Sequence, residues 1–192
     1  MPRNTDAVNE AVEQFRAYLE TLTFLHIDPR LRSKFGLSDV VQDTLLEAWR
    51  DLERIQALDA EGRKRWLRRM LVNNLLETIE RWRAGRRDVR REQPLEAAAA
   101  DSSCRLQAWL VAEDSSPSER AAEQEEALRL LEALSHLDVR QREALILQKY
   151  HGWTLAQIAE HLGCTVGVVA GLHARALARL REILPDGEES HG

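Results

Sequence analysis

Apolar residues recur at steps of three and four along almost the whole chain and nowhere alternate in twos over a useful length, so the pattern predicts helices and no sheet. Val8, Val12, Phe15, Leu19, Leu22 and Leu25 share one face of a helix over residues 7–27, which Asp28-Pro29 interrupts. A second helix is announced by Ser38 as N-cap with Asp39 in its first turn, and Val41, Leu45, Ala48 and Leu52 mark its apolar face. A looser piece, ERIQALDAEGRK, precedes a long helix over about 63–83. Leu67, Leu71, Leu75, Ile79 and Trp82 form one stripe on it, and Trp66, Met70 and Asn73 a second, the mark of a helix packed on both sides.

From about residue 94 the pattern breaks into proline, serine and alanine clusters in which acids outnumber arginines. This reads as an acidic linker whose middle, CRLQAWLVA, is apolar enough to form a short docked helix. Helical spacing resumes at 123 with EEALRLLEALSHL and VRQREALILQKYHG, then a closely spaced helix pair, and ILPDGEESHG reads as a frayed tail. The expected fold class is all-α: two small helical domains at 1–92 and 123–187, joined by a linker at 93–122, with a tail at 188–192.

Composition agrees. Leu, Ala, Glu and Arg dominate, aromatics are 5%, and 44% hydrophobic residues in 192 suffice for a core in each domain. There is no run of eighteen apolar residues, and the first fifteen carry charges where a signal peptide needs an apolar stretch, so a cytoplasmic protein away from membranes is expected. Cys104 and Cys164 stand far apart with no ligand-spaced partners, which argues against a zinc site or disulfide framework; both read as buried or half-buried side chains. The histidines are scattered singly, with no Ser-His-Asp set, carboxylate pair or glycine-rich phosphate loop, so neither an enzyme nor a cofactor is expected.

Charge alters the picture. The chain is -5 overall, yet residues 63–91 hold eleven Arg or Lys against three acids. One sign in excess, with few of the i,i+4 acidic partners of an ordinary exposed helix, suits a local phosphate-binding surface. The closing helix pair supplies a second candidate. Thr154 can cap the first helix, Gly163 can make the turn and Thr165 can cap the next. Ile158, Ala159, Leu162, Val169 and Leu172 then fall where two steeply crossed helices touch, as in a helix-turn-helix. The second helix would present Thr165, Gly167, Ala170, Gly171, Ala174, Arg175, Ala178 and Arg181 outward, with Arg179 behind, a surface nearly devoid of bidentate base readers.

Together these segments resemble the extracytoplasmic-function group of sigma factors in the sigma-70 family. SDVVQDTLLEAWRDL and RWLRRMLVNNLLETIERWRAGRRD are similar to the family's region 2, and LDVRQREALILQKYHGWTLAQIAEHLGCTVGVVAGLHARALARLRE to region 4; the match runs in order over about 31–183. The forms DPRLRSKFGLSDVVQDTLLEA and VVAGL are most like the planctomycete type. The resemblance implies a protein that binds core RNA polymerase, through the clamp helices of the largest subunit and the flap of the second largest, and directs promoter recognition, DNA melting and transcription initiation. Val41, Gln42, Asp43, Leu46 and Trp49 would dock on polymerase, with core packing the competing role for Trp49. Arg65, Arg69, Asn73 and Arg81 would meet the minus-ten element, and the loop over 55–62 would capture a flipped base. Trp66 and Trp82 lie on apolar stripes, where core packing outweighs base stacking. Thr154, Thr165, Gly167, Ala170, Gly171, Ala174, Arg175 and Arg179 would meet the minus-thirty-five element. An anti-sigma factor is a further partner class the resemblance allows. The chain departs from the family at Ala170, Gly171 and Leu172, where Lys, Arg and Ser are commoner, which implies a relaxed upstream preference. Two other readings remain: a stand-alone helix-turn-helix regulator that binds duplex DNA without polymerase, and an adaptor of helical hairpins.

Overall fold

A computed structural model describes residues 15–85, 93–114 and 120–184. Every regular element among them is an α-helix, and the chain divides into two compact units, 1–116 and 117–192.

The first unit opens with α1 (Arg16–His26), which buries Tyr18, Leu19 and Leu22 and also Thr21 and Thr23. The two threonine hydroxyls donate to the carbonyls of Ala17 and Leu19 one turn back, so their burial leaves no hydroxyl unmet. Residues 7–14 of the helix expected here lie outside the described residues. Asp28-Pro29 does end α1, and it also starts α2 (Pro29–Phe35): the Asp28 side chain accepts from the Arg30 N–H, and proline occupies the first turn, where its missing N–H costs nothing. Gly36, at φ 55°, stops α2 in the left-handed conformation, and α3 (Leu37–Arg50) follows at once. Ser38 is therefore inside α3 and does not cap it; the tight glycine link starts the helix two residues earlier. Val41, Leu45 and Ala48 face inward as their spacing requires.

The stretch expected to be loose is mostly helical. Ile55 is buried and anchors α4 (Leu52–Gln56), and Asp59 caps α5 (Ala60–Ala84) by accepting from Gly62 N–H at 2.7 Å. The core of the unit forms where Leu67, Leu71, Val72, Leu75 and Ile79 of α5, each 1% exposed or less, meet α1 and α3. Each such side chain contributes about 1.5–3 kcal/mol by leaving water.

The expected linker is corrected most. Residues 93–114 form a helix, α6 (Gln93–Asp114), packed against α1, α2 and α5, so the first unit extends to 116 and not to 92. Its inner face is Ala98, Ala99, Ser102 and Leu106. Ser102 Oγ accepts from Asp28 N–H at 3.1 Å and donates to the Ala98 carbonyl, Arg105 donates to the carbonyl of His26 at 3.2 Å, and Trp109 packs on the His26 ring at 5.3 Å. An ion pair of 2.8 Å joins Arg83 of α5 to Glu96. Cys104 falls on the solvent side of this helix and is exposed, contrary to expectation, whereas Cys164 is half-buried.

The second unit holds α7 (Arg120–Ser135), α8 (Val139–Lys149), α9 (Leu155–His161) and α10 (Val166–Ile183). Asp138 caps α8 by accepting from Arg140 N–H. Ala144, Leu147, Ile158, Ala159, Val169 and Leu172 make one core cluster, and Leu134, Leu137, Leu145 and Ala176 a second. The tail expected at 188–192 lies outside the described residues. No single helix among the described residues is long and apolar enough to cross a membrane.

Candidate nucleic-acid interface

Two surfaces, one on each unit, gather the residues singled out in the sequence. In the second unit α9 and α10 cross at 101°. The start of α9 is held by a reciprocal box: Thr154 Oγ1 accepts from Gln157 N–H, and Gln157 Oε1 accepts from Thr154 N–H at 2.9 Å. Gly163, at φ 61°, turns the chain, and Thr165 Oγ1 accepts from Val168 N–H to begin α10. Ala159, 5% exposed, lets the two helices approach, and the fully buried Ile158 and Val169 fill the angle between them. With its inner side thus occupied, α10 leaves Thr165, Gly167, Ala170, Ala174, Arg175 and Arg179 exposed and Gly171 half-buried. Arg179 pairs with Glu182 at 2.7 Å. The outer face of α10 is thus open to solvent, with Arg175 and Arg179 exposed along it.

In the first unit Arg65, Arg69, Asn73, Glu77 and Arg81 are all exposed and succeed one another at four-residue steps along α5, a ridge rising about 6 Å per step. Arg65 and Arg69 stand at i,i+4, where like charges repel slightly. Beside the ridge lies a groove of about 380 Å³ lined by Glu47 of α3 and by Trp66, Arg69, Met70, Asn73 and Glu77 of α5. The second apolar stripe, expected to pack, thus borders an open groove: Trp66 is half-buried, while Trp82, also half-buried, stacks edge-on against Phe35 at 5.4 Å. The segment over 55–62, expected as a loop, contracts to residues 57–59 between α4 and α5. Arg86, Arg87, Arg90 and Arg91 of the basic run lie outside the described residues.

Not every residue singled out is available to a partner. Arg68, counted in the basic run, is 2% exposed, donates to Tyr18 Oη at 2.7 Å and lies 5.7 Å from the Trp109 ring; it belongs to the core. On α3, Gln42, Asp43, Leu46 and Trp49 are exposed, Trp49 at 47%, which removes core packing as its role. Val41 is 1% exposed and can support a docking face but not touch a partner, because it sits on the face turned toward the core. Gln42 Oε1 accepts from Arg16 at 2.6 Å. Glu47 and Glu77 at the groove were missed: Glu77 is one of three acids inside the basic run, and Glu47 comes from α3, which no local pattern joins to α5.

Residues 127–180 match the family model for sigma-70 region 4. Over 163 residues the chain is 31% identical to the ECF RNA polymerase sigma factor SigM of Mycobacterium tuberculosis, an alignment that covers 83% of this chain and 71% of SigM. Over 165 residues it is 32% identical to the ECF RNA polymerase sigma factor SigG of the same species, covering 79% of this chain but 42% of SigG, so the chain spans less than half the length of that relative. The RNA polymerase sigma factor NccH of Alcaligenes xylosoxydans is 26% identical over 153 residues, covering 79% of this chain and 75% of NccH.

Proposed function

The chain belongs to the ECF RNA polymerase sigma factors, and from that premise we propose that it binds core RNA polymerase in the cytoplasm and directs it to promoters, which the complex then opens. Within the family the forms DPRLRSKFGLSDVVQDTLLEA and VVAGL favour the planctomycete type. The observation that carries the reading is the pair of separate cationic surfaces, the α5 ridge in one unit and the capped helix-turn-helix in the other. A single strand is held by cationic side chains beside room for splayed bases, and a duplex by a helix in its groove; the arginines of the α5 ridge beside the groove suit the first task and the second unit suits the other. Arg65, Arg69 and Arg81 take phosphates of the minus-ten element while Asn73 faces an unstacked base beside the groove. Thr165 stands at the start of α10 and Arg175 nearly three turns along it over the minus-thirty-five element, with Gly167, Ala170, Gly171 and Ala174 between them, Thr154 flanking and Arg179 behind. Leu46 and Trp49, with Gln42 and Asp43, dock α3 on the clamp helices of the largest subunit, and the second unit meets the flap of the second largest.

Family membership favours this reading over a stand-alone regulator, which has no use for a cationic ridge outside its helix-turn-helix. Reconstitution tests it: core polymerase plus the purified chain, given fragmented genomic DNA, should yield transcripts with defined starts that core alone does not make. Tight duplex binding by the chain alone, with no such transcripts, would favour the regulator.

A further inference from the structure

The first two turns of α10 carry almost nothing that reads a base by hydrogen bonding. Thr154 and Gln157 are engaged with each other in the α9 cap, and Thr165 Oγ1 is engaged with Val168 N–H. Arg175 lies back along its own helix, with Nη1 3.3 Å from where a Cβ on Gly171 would stand, and Arg140 is held on the Leu162 carbonyl at 3.1 Å. What the helix start does present is apolar: Val166 is 46% and Val168 43% exposed, flanking Gly167. Two exposed β-branched residues do not serve helix stability, since alanine would do that better. A Cβ on Gly167 would meet only the Thr165 hydroxyl, at 3.9 Å, so the backbone there is bare enough to approach a groove floor.

We infer that α10 recognises duplex DNA through thymine methyl groups, with Val166 and Val168 as the specificity-determining side chains. The inference rests on α10 being the helix that enters the major groove. In that groove the thymine C5 methyl is the one apolar feature that marks a base pair, whereas the other features are donors and acceptors. Two valine side chains flanking a bare glycine can pack on such methyls and have no means of reading the rest. The flanking Arg175, Arg179 and Arg181 favour a phosphate-lined partner over an apolar protein helix. The relaxed upstream preference expected from Ala170 and Gly171 then takes a defined form: A·T pairs at certain steps, tolerant of the remainder.

The test uses holoenzyme and a promoter recovered from its own defined transcripts. The upstream element is rebuilt with deoxyuridine for thymidine, which deletes the methyls, or with 7-deazapurines, which delete the major-groove N7 acceptors. Deoxyuridine should weaken binding about fourfold per contacted methyl, and 7-deazapurines should change it less than twofold. The variant Val166→Ala/Val168→Ala, altered only at exposed positions, should bind thymidine and deoxyuridine templates equally. Equal affinity of the unaltered protein for both templates, a larger loss with 7-deazapurines, an upstream element without A·T pairs, or a deoxyuridine penalty kept by the variant would each overturn the inference. Absence of any defined transcript from the unmodified promoter is a different result, which removes the proposed function and this inference with it.

Discussion

Replacing Arg68 by alanine should unfold the first unit far more readily than replacing Arg65, three residues away on the same helix. Arg68 is 2% exposed, its hydrogen bond to Tyr18 Oη is 2.7 Å long, and its guanidinium lies 5.7 Å from the Trp109 ring. A hydrogen bond from a charged donor contributes about 1.5–3 kcal/mol, and the ring contact about 1 kcal/mol. Truncation also removes buried methylenes that join α5 to α1 and α6. The expected loss is roughly 3–4 kcal/mol, against about 5–15 kcal/mol for a whole domain. With a urea dependence of about 2 kcal/mol per molar, the unfolding midpoint should fall by about 1.5–2 M. Arg65 is exposed, and its truncation should stay within about 0.5 kcal/mol. Tryptophan fluorescence reports the transition, since Trp66, Trp82 and Trp109 all lie in this unit. Equal midpoints for Arg68→Ala and Arg65→Ala would refute the assignment of Arg68 to the core.

The exposed arginines should behave oppositely: Arg65→Ala with Arg69→Ala should leave the midpoint in place and reduce the slope of log K against log salt for promoter binding by about 1.4, the single-strand value for two phosphate contacts, as measured by filter binding across salt concentrations. On α3, Trp49→Ala should weaken capture of core polymerase at nearly unchanged stability, whereas Val41→Ala should cost about 1–3 kcal/mol of stability; matched thermal melts and core-binding titrations separate the two. In the helix-turn-helix, Ile158→Ala should cost about 2–5 kcal/mol, read by urea unfolding. Gly163→Ala should cost only about 1 kcal/mol, because a Cβ there meets no atom within 4 Å and only the left-handed backbone opposes it.

Much of this was legible in the sequence, for identifiable reasons. Residues such as Leu67, Leu71, Leu75 and Ile79 announce α5 because large apolar side chains repeat at helical spacing. The caps at Thr154 and Thr165 and the turn at Gly163 were readable because each has a local cause, a hydroxyl for an unpaired N–H or a missing Cβ at positive φ. Docking of α6 was not, since its inner face is Ala98, Ala99, Ser102 and a single Leu106, small residues that leave no strong periodic signal. Its polar anchors to Asp28 and His26 span 74 and 79 residues, beyond the reach of any local pattern. Arg68 was misassigned for the same reason: charge suggests a surface until Tyr18 and Trp109 are seen around it. The groove beside Asn73 depends on Glu47 of another helix and appears only once α3 packs on α5.

The central claim is that the ridge on α5 holds an opened strand while α10 holds duplex, both under polymerase. Permanganate reactivity of thymines around the start site tests it most directly, on a promoter bound by holoenzyme containing either the unaltered chain or Arg65→Ala/Arg69→Ala. The account predicts reactive thymines near the start with the unaltered chain, and loss of that reactivity in the variant while upstream duplex protection persists. Equal reactivity with both chains, or no reactivity with either despite protection of the duplex, would contradict it.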